Sequence, residues 1–341
     1  MAKIEAAESV SKAKNRAKGK AKPELDETHR RLYSQGYRFV GKNSAVKVCE
    51  WCKSSLRGKK ACYKGAFYGI KSWRCVQMTP ALFNCPHRCK FCWRDFRYLQ
   101  PKEVEEPDPV DLVIEESIRE HNKLLVGFKG NERASKKLYL ESREPVHFAI
   151  SLVGDACLYP HLPELLAGLR KRKISSFVVT TGVIPEMLER MLESKKTVPT
   201  QLYITIAAPT KEIYGKTCLP AKKSEYGWKD FLKSLKLMKK FPRSVARLTM
   251  TKGLNMIEPE KYAELIKMAK PNFVEVKGFM AIGYARKRLG VEAMPSMEEI
   301  REFAHAVAEK SGYKYGAEDK ASNVALLWDG KKERMIDFEK P

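Results

Sequence analysis

Apolar residues follow two alternating patterns along most of the chain. Short apolar runs, typical of buried strands, alternate with longer segments whose apolar residues recur every three or four positions, as in amphipathic helices. The predicted strands are 75–82, 146–153, 176–180, 201–207, 244–250 and 272–278. The predicted helices are 106–125, 159–172, 184–194, 227–240, 258–270 and 295–310. The pattern therefore predicts six consecutive strand–helix units.

Six such units predict an α/β protein with a parallel sheet, whose chemistry lies at the carboxyl ends of the strands. Both an open doubly wound sheet and an incomplete (β/α)6 barrel of the TIM type fit this pattern. Neither a P-loop nor a Gly-x-Gly-x-x-Gly fingerprint follows the first strand, which argues against an ordinary nucleotide-phosphate cradle. At the first helix we expect Asp108 as the N-cap and Pro109 at the first helical position.

Composition changes along the chain and predicts four parts. Residues 1–25 are rich in Lys and Ala and predict a basic flexible arm, whereas residues 26–82 form an extension rich in cysteine and aromatic residues. The strand–helix units predict a barrel domain over 83–330, and 331–341 remain as a C-terminal tail.

The charge balance points to a polyanionic partner. Lys and Arg number 65 against 41 Asp and Glu, a formal net charge of +24. Solubility alone needs a net charge of only about 2–8, so nucleic acid is the favoured partner. Neither a secretory signal nor an apolar run long enough for a bilayer is evident, and we expect a cytoplasmic protein.

Seven of the nine cysteines lie between positions 49 and 92, which indicates metal binding in a reducing compartment. A zinc site could use Cys49 and Cys52 with Cys89 and Cys92, and His87 is a further possible ligand. That arrangement leaves Cys85 and two other cysteines without a role. An iron–sulfur cluster fits better, because three thiolates on one loop would leave a fourth iron open for a small molecule.

The loop "FNCPHRCKFCWRDF" carries Cys85, Cys89 and Cys92 as Cys-x-x-x-Cys-x-x-Cys, with Phe91 before the last cysteine. This motif after the first strand of a strand–helix repeat resembles the radical S-adenosylmethionine (SAM) superfamily. The resemblance implies a [4Fe-4S] cluster on these cysteines, SAM bound to the open iron, and a partial barrel. Cys49, Cys62 and Cys75, spaced thirteen residues apart, suggest a second three-thiolate cluster.

With the second triplet, most of the chain resembles the tRNA 4-demethylwyosine synthase family of wyosine biosynthesis, from "GYRFVGKNSAVKVCEWCK" to "MPSMEEIREFA". The resemblance implies two [4Fe-4S] clusters, the second on Cys49, Cys62 and Cys75. It also implies that Lys64, two residues after the middle cysteine, meets pyruvate. Cys52 is a surplus thiol. The SAM-pocket positions that match the superfamily are Gly154, Asp155, Thr181 and Thr205, although Asp and Thr stand where Glu, Asn and Ser are usual.

The implied activity is that of a tRNA-processing lyase. It condenses N1-methylguanosine-37 of tRNA(Phe) with pyruvate to give the tricyclic 4-demethylwyosine, using an external flavodoxin- or ferredoxin-like electron donor. We expect a monomer, with basic loops at 126–143 and 283–290 as candidate RNA contacts. Two alternatives stay open: a zinc-stabilised RNA-binding module without catalysis, and a different radical SAM enzyme such as an activase or a methylthiotransferase.

Overall fold

The computed structural model describes residues 26–338 and divides the chain into two compact units, Met1–Tyr37 and Arg38–Pro341. In the first unit the described part contains helix α1 (Glu27–Ser34), whose N-cap Asp26 accepts a hydrogen bond from the backbone N–H of His29. The predicted basic arm, 1–25, and the last three residues of the predicted tail lie outside the described residues.

In the second unit, ten strands of the described chain form one sheet in the order β1-β2-β3-β4-β5-β6-β7-β8-β10-β9. Strands β3 to β8 are parallel, and antiparallel pairs flank them at both ends. The strands are β1 (Arg38–Val40), β2 (Ser44–Val46), β3 (Cys75–Thr79), β4 (His147–Ile150), β5 (Ser175–Thr180), β6 (Gln201–Thr205), β7 (Ser244–Met250), β8 (Phe273–Gly278), β9 (Lys314–Asp319) and β10 (Val324–Trp328). Each predicted strand segment contains one parallel strand, and the α/β class is confirmed.

Helices connect the parallel strands and also follow the cysteines of the extension. They are α2 (Glu50–Leu56), α3 (Tyr63–Tyr68), α4 (Val110–Leu125), α5 (Lys136–Ser142), α6 (Leu162–Lys171), α7 (Pro185–Leu192), α8 (Lys211–Cys218), α9 (Trp228–Leu237), α10 (Pro259–Ala269), α11 (Gly283–Leu289) and α12 (Met297–Ser311). The sequence pattern missed the short helices α2, α3, α5, α8 and α11, since fewer than three turns do not establish a period. It also missed the hairpin strands β1 and β2, the edge strand β9 and its neighbour β10.

The expected N-cap of α4 is wrong. Pro109 occupies the cap position without a side-chain hydrogen bond, and the helix begins at Val110. The carboxylate of Asp108 instead accepts hydrogen bonds from the backbone N–H groups of Lys42 and Asn43 and from the Ser44 hydroxyl, at 2.7–2.8 Å. These donors belong to the β1–β2 turn, so Asp108 ties that hairpin to the start of α4.

The two faces of the sheet bury different clusters. Residues such as Val178, Leu202, Ala246 and Val274 pack against the outer helices. The alternate positions, which include Phe177, Tyr203, Val245 and Phe273, pack against Tyr63, Phe67 and Tyr68 of α3. Because successive strand residues face opposite sides, α3 lies on the inner face of the sheet. A helix of the cysteine-rich extension thus forms part of the interior of the strand domain.

The C-terminal segment packs beneath α3. The Arg243 guanidinium donates to the carbonyl oxygens of Glu333 and Arg334, and the backbone N–H of Ile336 donates to the Tyr68 carbonyl at 3.1 Å. The Phe338 ring lies 4.7 Å from the ring of the buried His147 at the start of β4. Residues 333–338 therefore contact both α3, which contains Lys64, and the amino-terminal end of the sheet.

Candidate active site at the carboxyl end of the sheet

The three cysteines of the loop after β3 line one cavity of about 720 Å³. Backbone hydrogen bonds fix the loop: Cys85 N–H donates to Gln100 O at 2.8 Å, and Lys90 N–H donates to Thr217 O at 2.9 Å. Of the expected SAM-pocket residues, Gly154, Thr181 and Thr205 line the same cavity. Strand ends that are far apart in sequence thus meet at one edge, as the parallel order requires.

Asp155 has a different structural role from Gly154, Thr181 and Thr205. It does not line this cavity, and its carboxylate is 1% exposed. The carboxylate accepts hydrogen bonds from the backbone N–H of Cys157 and Thr181 and from the hydroxyls of Thr180 and Thr181, at 2.6–3.0 Å. Asp155 therefore holds the end of β5 against the loop that follows β4.

Gly154 has a backbone conformation that requires glycine. Its φ is +78°, and a Cβ at this position would lie 1.8 Å from the carbonyl oxygen of Ala81 and 2.8 Å from that of Asn84. The backbone of the loop after β4 thus touches the segment that leads into Cys85. This close approach connects the expected SAM pocket with the cysteine loop.

The donor set of the loop fits an iron–sulfur cluster. Burial and, after it, the nearby Asp155 raise the pKa of the Cys85 thiol to about 12. A thiol must lose its proton to bind a metal, so the positive charge of a bound cluster is what would stabilise the thiolates here. Three soft sulfur donors on one cavity wall suit iron.

Within residues 26–338, one trio of His, Cys or acidic ligand atoms lies within 4.8 Å of one another, and it consists of His87, Cys89 and Cys218. Neither the combination of Cys49 and Cys52 with Cys89 and Cys92 nor either of the two expected cysteine triplets is such a group among the described residues. His87 instead pairs its Nε2 with the Tyr214 hydroxyl at 2.6 Å. Cys218 was missed by sequence analysis, because α8 brings it to the loop from 126 residues further along the chain.

The second set of cysteines occupies the starts of three elements. Cys49 caps α2, Cys62 caps α3, and Cys75 is the first residue of β3. The three thiols lie within electrostatic range of one another. Burial raises the pKa of Cys62 to about 11 and that of Cys75 to about 12. Cys52 is buried beside them, with its Sγ 3.8 Å from the Trp73 carbonyl oxygen.

Lys64 lies on α3 next to this second set. Its Nζ is 4.2 Å from the ring centre of Tyr203 and 5.7 Å from that of Phe177. Burial lowers the pKa of Lys64, the cationic Arg247 lowers it further, and Glu275 opposes both. A lysine in this setting is more readily deprotonated, and a neutral amine is the form that attacks a carbonyl carbon.

A buried hydrogen-bond network centres on Glu275 of β8, which has no solvent exposure. Its carboxylate accepts from the hydroxyls of Tyr63 and Tyr68 and from the guanidinium of Arg247, at 2.8–3.0 Å. Burial raises the pKa of Glu275, but Arg247, Lys64 and the two hydroxyls outweigh it and hold that pKa below its ordinary value. Sequence analysis missed these residues, although a charge inside a buried strand such as "NFVEVKG" signals a buried partner.

Of the two expected RNA loops, 283–290 contacts the cysteine loop. It forms α11, whose Arg288 donates to the carbonyl oxygens of Lys90 and Cys92 and lies 4.4 Å above the Phe96 ring. Arg286 and Lys287 of the same helix are exposed. No helix of the described chain has the length and apolar character of a membrane span.

Comparison with known proteins agrees with this geometry. The radical SAM superfamily matches residues 82–266, and the wyosine base formation family matches residues 268–329. The S-adenosyl-L-methionine-dependent tRNA 4-demethylwyosine synthase of Pyrococcus abyssi is 45% identical over 311 residues, 90% of each chain. The synthase of Pyrococcus horikoshii is 46% identical over 296 residues, 86% of each chain.

Solved structures are similar over nearly the whole chain. A structure of TYW1 with a lysine–pyruvate adduct bound has a TM-score of 0.80 at 33% identity, covering 92% of this chain and 98% of that one. A crystal structure of archaeal TYW1 has a TM-score of 0.74 at 31% identity, covering 92% and 99%. The chain therefore belongs to the radical SAM superfamily and, within it, to the S-adenosyl-L-methionine-dependent tRNA 4-demethylwyosine synthases.

Proposed function

We propose that this protein condenses N1-methylguanosine, beside the anticodon of tRNA(Phe), with pyruvate to form 4-demethylwyosine. The observation that carries the proposal is the position of Lys64, held on the inner face of the sheet between Tyr203, Arg247 and the second cysteine set. In a similar structure, that of TYW1, a lysine forms an adduct with pyruvate. Lys64 is the corresponding candidate here, and the activity is that of a radical SAM lyase in wyosine biosynthesis.

The strand order supports an incomplete (β/α)6 barrel that begins with β3, inside the segment 26–82, and continues over most of 83–330. Strands β3 to β8 are parallel and adjacent, and β10 joins β8 in the antiparallel direction. The extension 26–82 contributes α3 to the interior, so the barrel and the extension form one site. The predicted tail packs against Tyr68 and His147 through residues 336–338.

The cysteines divide into two sets for two [4Fe-4S] clusters. Cys85, Cys89 and Cys92 would hold the first, beside Gly154, Thr181 and Thr205 as the SAM pocket, with Asp155 fixing Thr181. Cys49, Cys62 and Cys75 would hold the second. When bound, the first cluster and SAM supply the radical that removes a hydrogen atom from the N1-methyl group.

Lys64 would bind the keto carbon of pyruvate through its neutral Nζ as an imine. The methyl-derived carbon of the guanosine joins this carbon, the carboxyl group of pyruvate leaves, and the exocyclic amine closes the third ring. Tyr203 and Phe177 shield the amine from water, which favours the imine over its hydrolysis.

The remaining partners follow from the chemistry. The net charge of +24 suits tRNA, and an external flavodoxin- or ferredoxin-like protein would supply the electron. We propose that the protein acts as a monomer in the cytoplasm.

Anaerobic incubation with methylated tRNA, pyruvate, SAM and reductant, followed by mass analysis of the nucleosides, tests the function. Lys64→Ala should abolish the tricyclic nucleoside and leave reductive cleavage of SAM. Lys261→Ala, on the exposed face of α10, is the matched control and should retain both activities. If Lys64→Ala still forms the tricyclic nucleoside, Lys64 is not the residue that binds pyruvate. About eight irons per reconstituted chain would indicate two cubanes.

A further inference from the structure

Ring closure on Lys64 requires a proton carrier, and this inference rests on the proposed function. A bond forms between the exocyclic nitrogen of the guanosine and the imine carbon, and the bond from that carbon to the Lys64 Nζ breaks. Starting from the protonated imine, one proton passes from the guanosine nitrogen to the Lys64 Nζ, which leaves as a neutral amine. The new ring keeps the positive charge until its methylene carbon releases a proton, and no electrons are exchanged. Since the Lys64 nitrogen is itself the leaving group, another side chain must carry that proton.

Lys277 lies on the strand that anchors the helix carrying Lys64. It lies two residues after Glu275 on β8, so the two side chains project from the same face of the strand. Glu275 binds the hydroxyl of Tyr63, the residue before Lys64, and the Lys277 Nζ lies 5.8 Å from the Tyr63 ring centre. Lys277 also lines the cavity of Cys85, Cys89 and Cys92.

The surroundings of Lys277 suit proton exchange near neutral pH. Burial and, after it, the charge of Arg247 lower its pKa to about 8 against the opposing effects of Glu275, Cys62 and Asp319. Among the described residues its ammonium has one hydrogen bond, to the carbonyl oxygen of Ser322. An ammonium has three donors, so two N–H groups stay available for a substrate.

Arg247 is a less suitable carrier although it lines the same cavity. Its guanidinium donates to Glu275 and to the Tyr63 hydroxyl. A guanidinium does not lose its proton in proteins. The neighbouring Thr205 and Thr249 hydroxyls have no acid–base function at neutral pH.

We propose that Lys277 is the acid–base residue that transfers the proton from the guanosine amine to the departing Lys64 during ring closure. Lys64 forms and breaks the covalent bond, whereas Lys277 receives and returns one proton. The tRNA stays covalently attached to Lys64 until this transfer takes place.

The test compares Lys277→Met, Lys277→Arg and the control Lys261→Met in the anaerobic reaction with methylated tRNA. Three products are measured: 5′-deoxyadenosine, the tricyclic nucleoside, and the protein–tRNA adduct trapped by cyanoborohydride. Lys277→Met should retain SAM cleavage, lower the tricyclic product about 100-fold, as expected for a lost general acid–base group, and accumulate the trapped adduct. Lys277→Arg should behave like Lys277→Met, because arginine retains the charge but cannot release a proton.

Each other outcome overturns the proposal. If Lys277→Arg restores the product, the residue anchors an anion and carries no proton. If Lys277→Met loses SAM cleavage together with product, or loses product without an accumulated adduct, Lys277 acts before ring closure or supports the fold. A wild-type protein that makes no tricyclic nucleoside would instead refute the proposed function itself.

Discussion

The Tyr63 hydroxyl donates a 2.8 Å hydrogen bond to the Glu275 carboxylate, which lies 212 residues further along the chain. This bond joins the helix that carries Lys64 to strand β8. Tyr68, at the other end of the same helix, donates to the second oxygen of that carboxylate at 2.9 Å. One buried carboxylate thus determines both the position and the orientation of α3.

Tyr63→Phe should lower the free energy of unfolding by about 1.5–3 kcal/mol, the usual range for a hydrogen bond to a charged group. The substitution removes one donor to Glu275 and one acceptor for Arg247, and it retains the aromatic ring. Chemical denaturation of the purified protein measures the effect, with Tyr226→Phe, whose hydroxyl has no hydrogen bond in the described chain, as control. Equal stability of the two variants would show that the Tyr63 bond contributes little.

Gly154→Ala should prevent the loop of Cys85, Cys89 and Cys92 from adopting its observed position. The new Cβ would meet the Ala81 and Asn84 carbonyl oxygens, so the segment before Cys85 must move. Gly312→Ala is a close control: its φ is +79°, it caps α12, and nothing lies within 4 Å of the added carbon. Both variants bear backbone strain of about 1–2 kcal/mol, but only Gly154→Ala should lose bound iron after reconstitution. Equal iron content would contradict the expectation.

Asp155→Asn should weaken SAM binding. The amide cannot accept all four hydrogen bonds that the carboxylate accepts, and one unpaired buried donor costs about 1–3 kcal/mol. Thr181, which lines the cavity, then loses its fixed position. Equilibrium dialysis with SAM measures the change, and the exposed Asp111→Asn serves as control. An unchanged affinity of Asp155→Asn for SAM would show that this carboxylate does not contribute to SAM binding.

The buried His121 should make the protein less stable in mild acid. Burial and, after it, the charge of Arg143 lower the pKa of His121 to about 4. Neither ring nitrogen has a hydrogen-bond partner among the described residues. Below pH 6.5 the unfolded chain binds a proton that the folded chain does not, so stability is complete above that pH and declines towards pH 4.

Between pH 7.5 and 5.5 this single residue should remove about 1 kcal/mol of stability. His121→Leu should lose correspondingly less over the same interval, as measured by denaturant unfolding at the two pH values. An identical decline in the variant and the wild type would assign the acid sensitivity to other groups.

Binding to tRNA should weaken steeply between 50 and 200 mM salt, because released counterions drive the association. The double variant Arg286→Glu and Lys287→Glu, on the exposed side of α11, should lower affinity and flatten the salt dependence by about one unit of slope per lost phosphate contact. Lys261→Glu with Lys267→Glu on α10 gives the same change of net charge as control. Equal loss in both double variants would indicate a general field effect and no specific contact.

Most of the correct predictions came from local patterns in the amino-acid sequence. The parallel strands β3 to β8 were evident from apolar runs, since most of their residues are buried, and Cys85, Cys89 and Cys92 were evident from their spacing on one loop. The network of Tyr63, Arg247 and Glu275 could not be predicted, because it depends on which strand faces the extension. Asp108 is a second residue whose role could not be predicted locally. The neighbouring sequence is typical of a helix N-cap, but the hydrogen-bond donors to Asp108 belong to a hairpin distant in sequence.

The segment that passes beneath α3 makes completion of the site a late event in biosynthesis. Residues 333–336 leave the ribosome after every strand, yet the helix bearing Lys64 rests on them through Tyr68. A nascent chain therefore carries all its cysteines well before this support arrives. The contact that supports the Lys64 helix can therefore form only after residues 333–336 have been synthesised.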